Sequence, residues 1–293
     1  MPLPGEFKNL QFLVVGAGGL GNIIQTTPLV AELAEIGLVD FLVEAKFNDA
    51  YLLWKNWDIS RFVFNTRADI VKEDYDYIWA TDFAKPFKGR MIYSGKNVPT
   101  LVHDCRPEWD SYLDFVRNNF GVLRLKPRTH VAVPVIEKEN TIILAPGSGP
   151  KDKLKRWPHF DQLANELIET NSKIVILGLA YDDTFDWPAS VINLCGKLNL
   201  YETAQELGRA KLVIANDCGL AHLSRAMGTE TAVIFGPTSL TKNLPLGAFP
   251  ITNEIFCRPC QSKEGHNPAS LDCRFNRKCF PTPRQVLKEC GFE

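Results

Sequence analysis

The chain has no apolar run near the 18 or so residues that a membrane-spanning helix needs. Its first residues, MPLPGEFKNLQFLVVG, carry neither a lengthy apolar stretch nor a small-residue cleavage site. Neither a spanning anchor nor a secretory leader is expected, and a cytoplasmic location follows. A surplus of charge is also missing: the formal net charge is -1 and neither half is basic, so there is no electrostatic footprint for nucleic acid. No short-period internal repeat is present. What remains is 293 residues, 45% hydrophobic and 23% charged, an ordinary globular composition with material for about two domains.

Cysteine is not scarce, but its placement is uneven. Cys105, Cys195 and Cys218 are scattered, which suits a reducing compartment better than a disulfide framework. Cys257, Cys260, Cys273, Cys279 and Cys290 crowd the last 40 residues. A C-x-x-C pair followed by two more thiols is compatible with tetrahedral zinc. The second spacing is looser than a zinc ribbon's and His266 adds a competing ligand, so free thiols bracing a loop-rich tail stay equally open.

Strand and helix signals alternate along the chain. Short apolar runs at Gln11 to Val15, Val39 to Glu44, Arg61 to Asn65, Tyr77 to Ala80 and Met91 to Tyr93 predict strands, with a helix from Pro107 to about Phe120. After a linker over Arg124 to Asn140 the pattern restarts. Strands are predicted at Thr141 to Ala145, Lys173 to Gly178, Val191 to Leu194, Leu212 to Ala215 and Thr231 to Phe235. Helices are predicted from Trp157 to Thr170, from Leu200 to Ala210, from about Leu220 to Met227, and over Pro283 to Glu289. Strands spaced by helices mean α/β units with parallel sheets, here as domains 1–134 and 135–293.

Three turns carry chemistry. Gly16-Ala17-Gly18-Gly19-Leu20-Gly21 matches G-x-G-x-x-G after a strand, and Glu44 stands where a dinucleotide fold keeps its ribose acid, so an NAD-dependent oxidoreductase is one alternative. Against it, Pro28 lies early in the following helix and should kink or restart it, with Thr27 as the new cap. Pro146-Gly147-Ser148-Gly149-Pro150, followed by Lys151, Lys153, Lys155 and Arg156, is a plausible diphosphate cradle or a solvated basic loop. Asp182 and Asp183, after a strand, suit ribose hydroxyls or a helix cap. Asn216-Asp217-Cys218-Gly219 ends a strand and opens a helix, putting Asp217, Gly219, Leu220 and His222 where free N–H groups and a positive dipole end receive an anion. Gly228 stands at a left-handed helix end. Trp157 and Trp187 are assigned to the core or a cleft wall rather than to nucleotide stacking.

GGLGNIIQTTPLVAEL, APGSGPKDKLKRWPHFDQLANEL, NLCGKLNLYETAQELGRAKLVIANDCGLAHLSRAMG and FGPTS, in that order, resemble the family-9 glycosyltransferases, the heptosyltransferase group. The resemblance implies a GT-B fold, two Rossmann-like domains with mostly parallel sheets facing a central cleft. It further implies an inverting, metal-independent transfer of a sugar, ADP-heptose being the expected donor, to a glycan such as lipopolysaccharide core. No cofactor is expected, and peripheral contact with the inner membrane surface is compatible with such an acceptor. The C-terminal domain would hold the donor through Ser148, Lys155, Arg156, Asp182, Asp183, Asp217, Gly219, Leu220 and His222, with Lys155 also serving catalysis. The N-terminal domain would hold the acceptor at Gly19, Gly21 and Asn22. Two positions depart from the family pattern: Cys218 replaces a hydroxyl residue, and Asn22 stands where a catalytic aspartate is usual. An amide takes no proton at neutral pH, so Asp82, with His103 and Asp104 behind it, is the expected general base and Asn22 an orienting group. A sugar-nucleotide binding protein with weakened catalysis is the other alternative.

Overall fold

The computed structural model describes residues 10–45, 49–59, 61–64, 75–81, 91–94, 106–121, 123, 125–134, 137–149, 153–260, 273 and 277–292. The chain divides into two compact units, Met1–Val133 and Pro134–Glu293.

The first unit holds β1 (Leu10–Gly18), α1 (Leu20–Ala34), β2 (Gly37–Ala45), β3 (Phe62–Phe64), β4 (Tyr77–Ala80), β5 (Met91–Ser94), α2 (Glu108–Tyr112) and α3 (Asp114–Phe120). Its sheet is parallel in the order β3-β2-β1-β4-β5. β1 lies in the middle, and Leu13, Val14 and Val15 are fully buried, the continuous apolar run of a strand covered on both faces. α1 packs close to it because residue 16 is glycine: a Cβ there would stand 3.1 Å from both the Phe41 ring and Thr26 Oγ1.

Pro28 does not break α1, contrary to the sequence expectation. A proline leaves the carbonyl four residues earlier without its N–H, and here the Thr27 hydroxyl donates to that carbonyl, Ile24 O, at 2.7 Å. Thr26 does the same to Ile23 O, so one helix runs through. Thr27 is thus a repair inside the helix rather than a cap, and its oxygen also accepts from the His130 N–H at 2.9 Å. The expected helix over residues 107–120 is two helices meeting at Leu113, whose ψ of -11° is that of a turn.

The second unit holds β6 (Thr141–Ala145), α4 (Phe160–Ile168), β7 (Lys173–Ile176), β8 (Ile192–Asn193), α5 (Leu200–Arg209), β9 (Leu212–Asn216), α6 (Gly219–Ala226), β10 (Glu230–Ile234), α7 (Leu240–Asn243), β11 (Phe249–Ile251) and α8 (Pro283–Glu289). The sheet is parallel in the order β11-β10-β9-β6-β7-β8. Counted from its own first strand, this is the doubly wound order in which the chain reverses direction between the first and fourth strands. α5 is closed by a capping box, Asn199 accepting from Glu202 N–H while the Glu202 carboxylate accepts from Asn199 N–H. Gly228 takes φ +78° after α6, as its position in the sequence suggests. Trp157 is not helical. It is a fully buried core residue whose Nε1–H donates to Pro281 O at 2.9 Å, and α4 begins three residues later. Among the described residues no helix is long and apolar enough to cross a membrane.

Candidate active site

In the second unit β6 and β9 are neighbours whose successors wind away in opposite directions, and ligands of open parallel sheets bind at the carboxyl ends of such a pair. Asn216, the last residue of β9, organises the place. It is fully buried; its Oδ1 accepts from Trp157 N–H at 3.0 Å and its Nδ2 donates to Pro146 O at 2.6 Å. One amide therefore ties the turn after β9 to the turn after β6 and to the start of the Trp157 segment.

The lysine loop is held from behind. Arg277 donates through Nη2 to the carbonyls of Lys153 at 2.9 Å and Arg156 at 3.1 Å. From the short turn Lys153–Lys155, Lys155 then extends to Asp217, Nζ to Oδ2 3.1 Å, where the Asn243 amide also donates at 3.2 Å. Next to it, Arg156 bonds Asp182 Oδ1 at 2.7 Å and Ser148 Oγ at 3.2 Å. The other Asp182 oxygen accepts from Leu179 N–H at 3.0 Å. Burial pushes the Asp182 carboxyl up, against the opposing pull of Leu179 N–H, Arg156 and Ser148 N–H. Gly147 is needed here, because a Cβ would lie 2.4 Å from Asp182 Oδ2.

α6 starts at Gly219 with Cys218 extended in front of it; the Ala221 N–H donates to Cys218 O at 3.2 Å, and the N–H groups of Leu220 and Ala221 face the Cys218 thiol. Burial pushes the Cys218 thiol up to about 11, which leaves it uncharged beside Asp217. His222, on the first turn of α6, is buried with 6% exposure. The structure thus bonds Lys155 to Asp217, and Arg156 to both Asp182 and Ser148, and places Gly219, Leu220 and His222 on the helix that Asp217 precedes. Asp183 is turned elsewhere and accepts from Trp187 Nε1–H at 2.8 Å.

The first unit has a corresponding turn. Gly18 takes φ +102°, Gly19 precedes α1 in extended conformation, and Gly21 and Asn22 form its first turn. The Asn22 amide donates to both oxygens of Glu108 at 3.2 Å; Gln25 Nε2 donates to Oε2 at 3.1 Å and Tyr112 OH to Oε1 at 2.8 Å. Gln25 is 3% exposed and among the described residues its Oε1 has no partner, a cost of about 1–3 kcal/mol for a buried acceptor. Sequence reasoning missed Glu108, Arg277 and Asn216, because each acts on residues 59 to 124 positions away. Asp82, His103 and Asp104 lie outside the described residues; the neighbouring Thr81 accepts from Ala17 N–H at 3.0 Å.

Cys257, Cys260, Cys273 and Cys279 lie in the tail, and among the described residues no three His, Cys, Asp or Glu side chains are grouped to hold a metal. His266 lies outside the described residues. Arg258 sits among Cys257, Cys260 and Cys279 and donates to Gly236 O at 2.6 Å.

Two doubly wound parallel units, with a cationic loop meeting an acid-glycine turn at the switch point of the second, have the architecture of the GT-B fold. Solved structures share that fold. The family 9 glycosyltransferase of Veillonella parvula DSM 2008 matches with a TM-score of 0.72 at 16% identity, covering 99% of this chain and 97% of the other. E. coli ADP-heptose lps heptosyltransferase II matches with a TM-score of 0.65 at 19% identity, covering 96% and 97%. The sequence model for glycosyltransferase family 9 (heptosyltransferase) matches residues 119–269, and the chain belongs to that family. Lipooligosaccharide heptosyltransferase 2 of Campylobacter jejuni subsp. jejuni is 27% identical over 280 residues, 88% of this chain and 83% of the relative. Three further heptosyltransferase 2 relatives are matched over less than half of their own length.

Proposed function

We propose that this glycosyltransferase moves heptose from ADP-heptose, or a closely related nucleotide-diphosphate sugar, to a lipopolysaccharide-core glycan, with inversion and without a catalytic metal. The observation that carries the proposal is the reach of Lys155 across the β6/β9 switch point to Asp217. As the bond to the diphosphate breaks, negative charge grows on the leaving oxygens, and a preorganised cation beside a helix N-terminus lowers that barrier. Lys155 takes the leaving phosphates in place of Asp217, and the N–H groups of Gly219 and Leu220 complete the cradle. His222 contributes a further donor from the same turn. Asp182 acts indirectly by aiming Arg156 at Ser148 and the phosphates. Gly19 and Gly21 let the acceptor approach α1 closely. A cytoplasmic location, with transient contact at the inner membrane surface, matches such an acceptor.

The oxidoreductase alternative has a physical difficulty. A dinucleotide's pyrophosphate would rest on the first turn of α1, where the Glu108 carboxylate bonds Asn22, and like charges would meet.

Calorimetric titration with ADP, UDP, GDP and NADH tests the reading, together with mass spectrometry of product from ADP-heptose and truncated lipopolysaccharide core. ADP should bind, and Lys155→Ala should weaken it about 10–100-fold, as loss of a charge-assisted hydrogen bond does. NADH binding with no response to Lys155→Ala would overturn it.

A further inference from the structure

The geometry points to Glu108 as the general base of the transfer, with Asn22 and Gln25 as the amides that aim it; this rests on the transferase reading above. A base must be ionised, within one hydrogen bond of the hydroxyl it deprotonates, and not already committed to a cation. Among the described carboxylates of the first unit, three are committed to cations. Asp40 is paired with Arg61, and Asp110 and Asp114 are held by Arg106 and Arg117. Glu108 differs, since its partners are the neutral donors Asn22, Gln25 and Tyr112, and among the described residues no cation pairs with it.

Its location matches the task. Asn22 lies on the turn that follows β1, and β1 and β4 are the pair at which this sheet changes winding direction, the place where such sheets take ligands. Glu108 is half-buried, so it is open to a ligand while its orientation is fixed. A carboxylate has about four lone-pair directions. Tyr112 and Gln25 take one each and the Asn22 amide reaches both oxygens, so an incoming hydroxyl takes the place of one of the two Asn22 contacts at 3.2 Å, the longest of the four. Gln25 stands there although, among the described residues, its own carbonyl has no donor. A glutamine that only filled space would be better replaced by a leucine or methionine. Asn22, which cannot accept a proton at neutral pH, is thereby a positioning residue.

In the step itself the acceptor O–H proton passes to Glu108. The freed oxygen pair forms the bond to the anomeric carbon of the donor, and the carbon–oxygen bond to the diphosphate breaks, its electron pair leaving on the nucleoside diphosphate. Glu108 then returns the proton to solvent.

The test uses the full-length protein with ADP-heptose and truncated lipopolysaccharide core, reading ADP release, product mass and, by calorimetry, ADP affinity. Glu108→Gln should lower kcat by about 100-fold or more while ADP affinity stays within twofold, and the fall of kcat on the acid side of the wild-type pH profile should vanish. Adding Asn22→Asp to Glu108→Gln returns a carboxylate to the same spot and should recover at least tenfold of the loss. Glu108→Asp, which keeps the charge, guards against a folding defect and should retain the acid limb at reduced kcat. Turnover within threefold of wild type in Glu108→Gln, or an unaltered acid limb, would overturn the assignment of Glu108 alone. A wild type that forms no product would overturn the transferase reading with it.

Discussion

Replacing Asn216 by leucine removes a side chain that bonds both the turn after β6 and the segment that opens at Trp157. The substitution keeps the volume and apolar packing nearly constant, so the hydrogen bonds are the main loss. Trp157 N–H and Pro146 O, now 3.0 and 2.6 Å from the amide, would be left buried without partners. At about 1–3 kcal/mol for each orphaned group, unfolding free energy should fall by about 2–6 kcal/mol. For a unit of this size that is a drop in midpoint of about 5–20 °C. Scanning calorimetry of the full chain measures the shift, and ADP titration below the new midpoint measures what the turns lose. Asn216→Asp separates the two bonds: it keeps the acceptor for Trp157 N–H but sets a carboxylate oxygen against the Pro146 carbonyl, so it too should destabilise. A loss under 1 kcal/mol for Asn216→Leu, with ADP affinity unchanged, would refute the claim that this amide assembles the site.

Gly147→Ala brings a methyl to 2.4 Å from Asp182 Oδ2, and overpacking of this kind costs about 1–3 kcal/mol; calorimetry should show that loss together with at least tenfold weaker ADP binding, because Arg156 moves with Asp182. The first unit should weaken in mild acid. Burial, aided by repulsion from Arg128, lowers His130 from 6.5 to about 4. The unfolded chain therefore binds a proton that the folded one refuses, and stability present above pH 6.5 is lost as pH falls towards 4. The partly exposed ring limits this to about 1–2 kcal/mol after solvent screening, and His130→Gln should flatten the slope in urea titrations between those pH values.

Local signals were legible wherever the cause was local. The buried strands Tyr77–Ala80 and Thr141–Ala145, the left-handed Gly228 and the last helix were readable because apolar runs, a glycine and a proline act on their own neighbourhood. β11 and α7 went unseen, being three and four residues long and made stable by the sheet edge and by a Ser239 cap. Thr27 was read as a cap because its spacing to Pro28 is the same in either role; only the intact helix shows the hydroxyl repairing Ile24 O. In the site, Lys155 and Asp217 were visible through motif context, whereas Asp182 and Asp183 were indistinguishable as letters and take different partners in space. Glu108 had no signal in the sequence: its meaning comes from an amide 86 residues earlier.

The clamp that Arg277 places on the lysine loop has a consequence for local unfolding. Carbonyls at Lys153 and Arg156, and the indole of Trp157, are held by residues 277 and 281, which lie 121 to 124 positions further along the chain. Opening of the segment before α8 therefore loosens the loop before the parallel sheet comes apart, and amide exchange across Lys153–Trp157 should follow that segment rather than the strands.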